Sequence, residues 1–197
     1  MTDLRENSPS YTLPMPLNPP GGQASALTPE SAMLVAERDT RVEIERKAAH
    51  IRRCTVAELQ AAPNIAEVLA EYARESSLKE LGPTSPQWAT YRTLEAAGVF
   101  HPIAAFEGTR LCGFILPIVV VLPHYGVLAA TIESYFVPQA DRTKNIGIKL
   151  LRAAEELARG LGAKALLLSA PVGGALARLM PALKYRHSNE VFVRALA

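Results

Sequence analysis

A length of 197 residues fits one domain with an added segment, and 49% apolar residues are enough for a core. A net charge of +2 with no Lys/Arg run argues against a nucleic-acid partner, and the longest apolar run, 114–123, is too short to span a bilayer. Cys54 and Cys112 lie far apart with no metal-type spacing, and the first residues, with Asp3 and Glu6, lack an apolar signal core, so the expectation is a cytoplasmic protein without disulfides or metal.

Residues 1–27 hold Pro9, Pro14, Pro16, Pro19 and Pro20, then Gly21-Gly22, a density that predicts an extended arm. Thr28-Pro29-Glu30 is a helix start, with a cap, a proline at the first helical position and an acidic residue favouring the dipole. A charged helix is therefore expected over 28–50, supported by Glu37/Arg41 and Glu43/Lys47 at i,i+4. Val42-Glu43-Ile44 also reads as a strand. The remaining residues, 51–197, form the expected main domain.

Ile51–Val56 reads as a first strand, and 57–75 as a helix interrupted near Pro63. A loop with Gly82, Pro83 and Pro86 follows, and Ser85 is the expected cap of a helix over 86–97 carrying Trp88 and Tyr91. Strands are expected at 102–106, 110–122 and 127–137, joined by short turns and therefore antiparallel. The central one is apolar on both faces, which calls for helices on both sides of the sheet. From Asn145 the period changes: Ile146, Leu150, Ala153, Leu157 and Leu161 recur at helical spacing up to Gly160-Leu161-Gly162. A buried strand at 164–169, a helix at 175–183 and a last strand at 190–196 complete the chain. The class is α/β (α+β), with a mixed, mostly antiparallel sheet.

The chemistry concentrates where the third meander strand meets the long helix. Pro138 ends the strand, and the turn Arg142-Thr143-Lys144-Asn145-Ile146-Gly147 opens the helix. A helix N-terminus presents unpaired N–H groups and partial positive charge, which suits a phosphate. Arg142 and Lys144 add full charge, and Gly147 lets a ligand approach the backbone closely.

This turn, with Val137-Pro138 before it, resembles the acyl-CoA motif of the GNAT superfamily of N-acetyltransferases, Gln/Arg-x-x-Gly-x-Gly/Ala after Val-x-Pro. The element order from about Ile51 onward is similar to the same superfamily. The resemblance implies acetyl-CoA as acyl donor. Its pyrophosphate would lie on Arg142, Lys144, Asn145, Ile146, Gly147 and Ile148, and its pantetheine along Tyr135 and Val137. Asn145 departs from the family's first glycine; Asn tolerates the left-handed conformation better than most residues. Met180 stands where many members have an acidic tyrosine, which leaves Tyr185, His187 and Ser169 as substitutes, with Tyr185 preferred.

Glu133 is the expected general base, on the strand face taken to be shared with Tyr135 and Val137. The acceptor is an amine on a small molecule or a protein. The competing expectation is a GNAT-fold subunit without strong catalysis, held in a homo-oligomer or larger assembly such as a virion by the Pro-rich arm.

Overall fold

The computed structural model describes residues 48–196, together with Met33, Leu34, Glu37 and Arg38. The chain divides into two units, 1–41 and 42–197. In the first, the four described residues are helical and exposed. The extended arm, the rest of the charged helix and the alternative strand at 42–44 lie outside the described residues. In the second unit His50, expected at the end of the charged helix, already belongs to a strand.

That strand, β1 (His50–Arg53), is followed by α1 (Val56–Gln60), α2 (Ile65–Ser76) and α3 (Trp88–Ala96). Thr55 and Glu58 form a reciprocal capping box at the start of α1: the Glu58 N–H donates to Thr55 Oγ1 (3.1 Å), and the Thr55 N–H donates to Glu58 Oε2 (2.8 Å). Pro63 separates α1 from α2, as expected from a residue with no N–H. Asn64 then pins the start of α2 to the sheet, donating to the Leu111 carbonyl and accepting from the Leu111 N–H, both at 2.9 Å. Ser85 does not cap α3; the cap position is Gln87, with no side-chain cap bond, and the Ser85 carbonyl accepts from Gln87 Nε2.

The meander is β2 (Ile103–Glu107), β3 (Arg110–Leu122) and β4 (Val127–Phe136). α4 (Ile146–Gly160) returns the chain to β5 (Ala165–Leu168), and a short α5 (Ala175–Leu179) follows. The sheet order is β1-β2-β3-β4-β5, antiparallel except for the β4–β5 pair. Alternating residues of β3 feed two apolar layers. Phe114 and Leu116 pack with Phe100, Phe136, Leu59 and Val68 beneath α1–α3. Cys112 and Ile115 pack with Ile146, Leu150, Leu151 and Ala154 of α4. Helices thus cover both faces, as the doubly apolar β3 requires.

Two expectations fail at the far edge. β5 is not buried: Ala165 and Leu167 are exposed and only Leu166 and Leu168 turn inward, because β5 is the last strand of the sheet. Residues 190–196 form no strand; Val191 and Phe192 are 82% and 86% exposed, and no ladder partner is present for them among the described residues. Helix α5 also stops at Leu179, and residues 180–184 form turns.

Candidate active site

Pro117 lies in the middle of β3, fully buried, and a proline cannot donate to a ladder. The register shows the consequence. Leu116 pairs with Ser134, but Pro117 pairs with Ile132, so Glu133 is an extra residue in β4. This β-bulge breaks the alternation of side chains. Ile132, Tyr135 and Val137 join the α4 layer, whereas Ser134 and Glu133 turn toward α2 and α3. Glu133 therefore does not share a face with Tyr135 and Val137. The period-two count fails because one residue is inserted, and Pro117 was the sequence signal for it.

Glu133 and Ser134 line a cavity of about 190 Å³ between the sheet, α1, α2 and α3, closed on one side by Thr84, Ser85 and Pro86. The Tyr91 hydroxyl donates to Glu133 Oε1 at 3.0 Å. Burial first, and then the Glu133 charge, push that phenol well above its usual range, so it keeps its proton. The Tyr91 ring is held by stacking on Phe100, 4.9 Å between centroids. Tyr72 and Ser134 share a hydrogen bond of 3.0 Å. Trp88 and Tyr91 line this cavity with Glu133, and Tyr72 and Ser134, which the sequence did not single out, line it too.

β4 pairs with β5 only as far as Ile132↔Leu168. Glu133–Phe136 therefore run on with no strand on that side among the described residues, and the bulge sits where the two strands part. The segment beyond β4 is a 3-10 turn, Gln139–Lys144, leading into α4. Asn145 occupies the left-handed region (φ 57°, ψ 18°), as its tolerance of that conformation led one to expect. The Asn145 side chain makes no cap bond to α4, and the first N–H groups of a helix, here 146–148, have no partner within the helix itself.

The two cations of this turn are already engaged. Arg142 donates to both oxygens of Glu75 at 2.7 Å and to the Val137 carbonyl at 2.9 Å. Lys144 donates to Asp141 at 2.9 Å. Asp141 is 1% exposed and also accepts two bonds of 2.9 Å from Arg110, which in turn bonds Glu107. The Arg110 bonds chiefly, with help from Lys144, hold the Asp141 carboxyl below the usual range. In the turn before α4, Arg142 and Lys144 thus each face a carboxylate.

Gly147 has a packing reason besides any ligand: a β-carbon there would lie 2.5 Å from the Tyr135 hydroxyl oxygen. Burial pushes the Tyr135 phenol up to about 12. Tyr185 lies in the α4 layer with Met180, and its hydroxyl donates to Glu155 Oε1 at 2.7 Å. Burial and that bond raise its pKa. Glu133 and Tyr185 are thus not brought together; they belong to different faces of the sheet. Among the described residues no group of three His, Cys, Asp or Glu side chains could hold a metal ion, and no helix is long and apolar enough to cross a membrane.

No family model matches this chain, and no curated protein does. Solved structures do. An aminoglycoside acetyltransferase from an uncultured soil metagenomic sample superposes with a TM-score of 0.60 at 18% identity, over 76% of this chain and 99% of that one. A glucosamine-6-phosphate N-acetyltransferase from Arabidopsis thaliana gives 0.58 at 11% identity over 76% and 99%. A ribosomal-protein-alanine N-acetyltransferase from Brucella melitensis biovar Abortus 2308 gives 0.55 at 19% identity over 74% and 99%. The fold is the GNAT acetyltransferase fold. In this GNAT fold the bulged β4, the parting of β4 from β5 and the uncapped start of α4 lie along one continuous edge of the chain.

Proposed function

We propose that the protein transfers an acetyl group from acetyl-CoA to a primary amine. The observation that carries this reading is the bulge at Glu133. It places a carboxylate in a cavity at the point where β4 loses its β5 neighbour. That all three structural neighbours named above are acetyltransferases supports the same reaction class.

The residues present fit the donor in part. The uncapped N–H groups of Ile146, Gly147 and Ile148 suit a pyrophosphate, and the free side of β4 at Tyr135 and Val137 suits the amide groups of pantetheine. Arg142 and Lys144 contribute net charge only as far as they leave Glu75 and Asp141. When bound, acetyl-CoA supplies an activated acyl group on sulfur.

Glu133 takes a proton from the acceptor ammonium, directly or through water. The freed nitrogen lone pair then forms the new bond to the acetyl carbon while the carbon–sulfur bond breaks, and the second proton leaves the nitrogen to water. Tyr91 keeps its proton and holds the Glu133 carboxylate in place. The leaving sulfur takes a proton from the proposed acid, Tyr185, whose hydroxyl has to give up Glu155 and reach the acyl group from the other face through the gap where β4 and β5 part, and then regains a proton from water.

Steady-state kinetics with acetyl-CoA test both roles. Glu133→Gln should lower kcat about 100-fold or more, as for loss of a general base, with acetyl-CoA binding unchanged. A wild-type rate in that variant removes the base assignment. Tyr185→Phe should lower kcat about tenfold or more; full activity would hand the acid role to solvent.

A further inference from the structure

The walls of the cavity select among amines, and this step rests on the acetyl-transfer reading above. Leu59, Leu69, Trp88 and Phe114 make the larger part of its surface aromatic and aliphatic, with the Thr84 and Ser85 hydroxyl side chains on one side. Among the described residues Glu133 is the single carboxylate lining it, and no Lys, Arg or His does. The hydroxyls of Tyr91 and Tyr72 are already committed, to Glu133 and Ser134. At about 190 Å³ it is smaller than the roughly 300 Å³ at which sites for drug-sized ligands begin.

These features exclude two acceptor chemistries borne by structural neighbours. A phosphorylated amino sugar would bring a phosphate to a cavity with no cation among its described lining residues, and most of its hydroxyls would lose water against the apolar part of the wall. An aminoglycoside carries several ammonium groups on a polar multi-ring body, and one carboxylate can neutralise only one of them. An ammonium group on an apolar body meets neither cost. Its charge pairs with Glu133 beside the faces of Trp88 and Tyr91, and its body displaces water from the aromatic wall.

We propose that the acceptor is a small monoamine with an apolar body, an arylalkyl or short alkyl amine, whose ammonium group meets Glu133. Glu133 takes one proton from the ammonium. The nitrogen then bonds to the acetyl carbon as the carbon–sulfur bond breaks. The second proton leaves nitrogen as sulfur gains one, giving a neutral amide and a free thiol.

Trp88 is the chain's single tryptophan and lines the cavity, so its emission reports occupancy without any donor present. The probes are phenethylamine, its neutral analogue phenethyl alcohol, kanamycin and glucosamine-6-phosphate. Phenethylamine should give a saturable change, weakened about tenfold for the alcohol and in Glu133→Gln by loss of the charged hydrogen bond. With acetyl-CoA its kcat/KM should exceed that of kanamycin and glucosamine-6-phosphate at least tenfold. The alcohol comparison uses the wild-type protein and so holds even if the variant misfolds. No saturable change with phenethylamine, or equal or better binding or turnover of either polar amine, overturns the inference. Saturable binding of phenethylamine without thiol release upholds this acceptor class and overturns the transfer reading. Acetylation of kanamycin without phenethylamine binding does the reverse.

Discussion

A β-carbon at position 147 would come 2.5 Å from the Tyr135 hydroxyl oxygen, closer than real atoms approach. Alanine normally improves a helix over glycine by about 0.5–1 kcal/mol. Here the collision reverses the sign, and Gly147→Ala should destabilise by about 1 kcal/mol as an overpacked site does. Removing the hydroxyl should restore the usual preference, because the next ring atom is 3.6 Å away, an ordinary contact. Denaturant midpoints of Gly147→Ala alone and combined with Tyr135→Phe check this; a loss in both backgrounds would place the strain elsewhere. A glycine in a motif can thus answer to a neighbouring side chain as well as to a ligand. Lys184 makes a related point, holding φ 64°, a region that glycine enters freely and most other residues avoid.

Asp141 works between elements. It is buried in the turn before α4 and binds Arg110 at the start of β3 and Lys144 three residues on. The two cations lower its pKa relative to the unfolded chain. Its stabilisation is therefore complete above the ordinary carboxylate range and disappears as pH falls through the folded value. Asp141→Asn should cost about 2–3 kcal/mol near neutral pH, the scale of charged hydrogen bonds lost from a buried acceptor. The difference from wild type should shrink as the solution is acidified, read from urea midpoints across pH. A difference that stays constant down to acid pH would mean that shape, and not charge, matters at this position.

At the scale of the molecule, α2 and the turn before α4 lie far apart in sequence yet are tied twice. Glu75 holds Arg142 by two bonds of 2.7 Å, and the Gln139 N–H donates to Glu71 at 2.7 Å. On the proposed function, Arg142 must share itself between Glu75 and the donor's phosphates. The pair is half-exposed, and such pairs contribute up to about 1 kcal/mol. Glu75→Gln should therefore tighten acetyl-CoA binding about twofold to fivefold and steepen its salt dependence. Titration calorimetry at two salt concentrations measures both. Unchanged or weaker binding would show that Arg142 takes no part.

Much of this arrangement was legible in the chain. The break at Pro63, the meander at 103–136 and the long helix from Ile146 follow from short-range rules of proline chemistry and period, whereas Thr55 and Val56, read as strand, proved to cap and open α1. The polar turn with Asn145 was legible as a helix start because left-handed tolerance is a property of the residue itself. Tertiary structure decided the rest. Glu133 leaves the face of Tyr135 only because Pro117, on another strand, forces a bulge opposite it. Arg142 and Lys144 lose their free charge to carboxylates brought in by α2, β2 and the turn itself. The residues at 190–196 carry strand-forming side chains but pair with no described strand, although β5 ends the sheet. Local sequence determines what a backbone segment prefers. Which face a side chain meets, whether a charge is already neutralised and whether a strand has a partner depend on residues far away along the chain, and these come together only on folding.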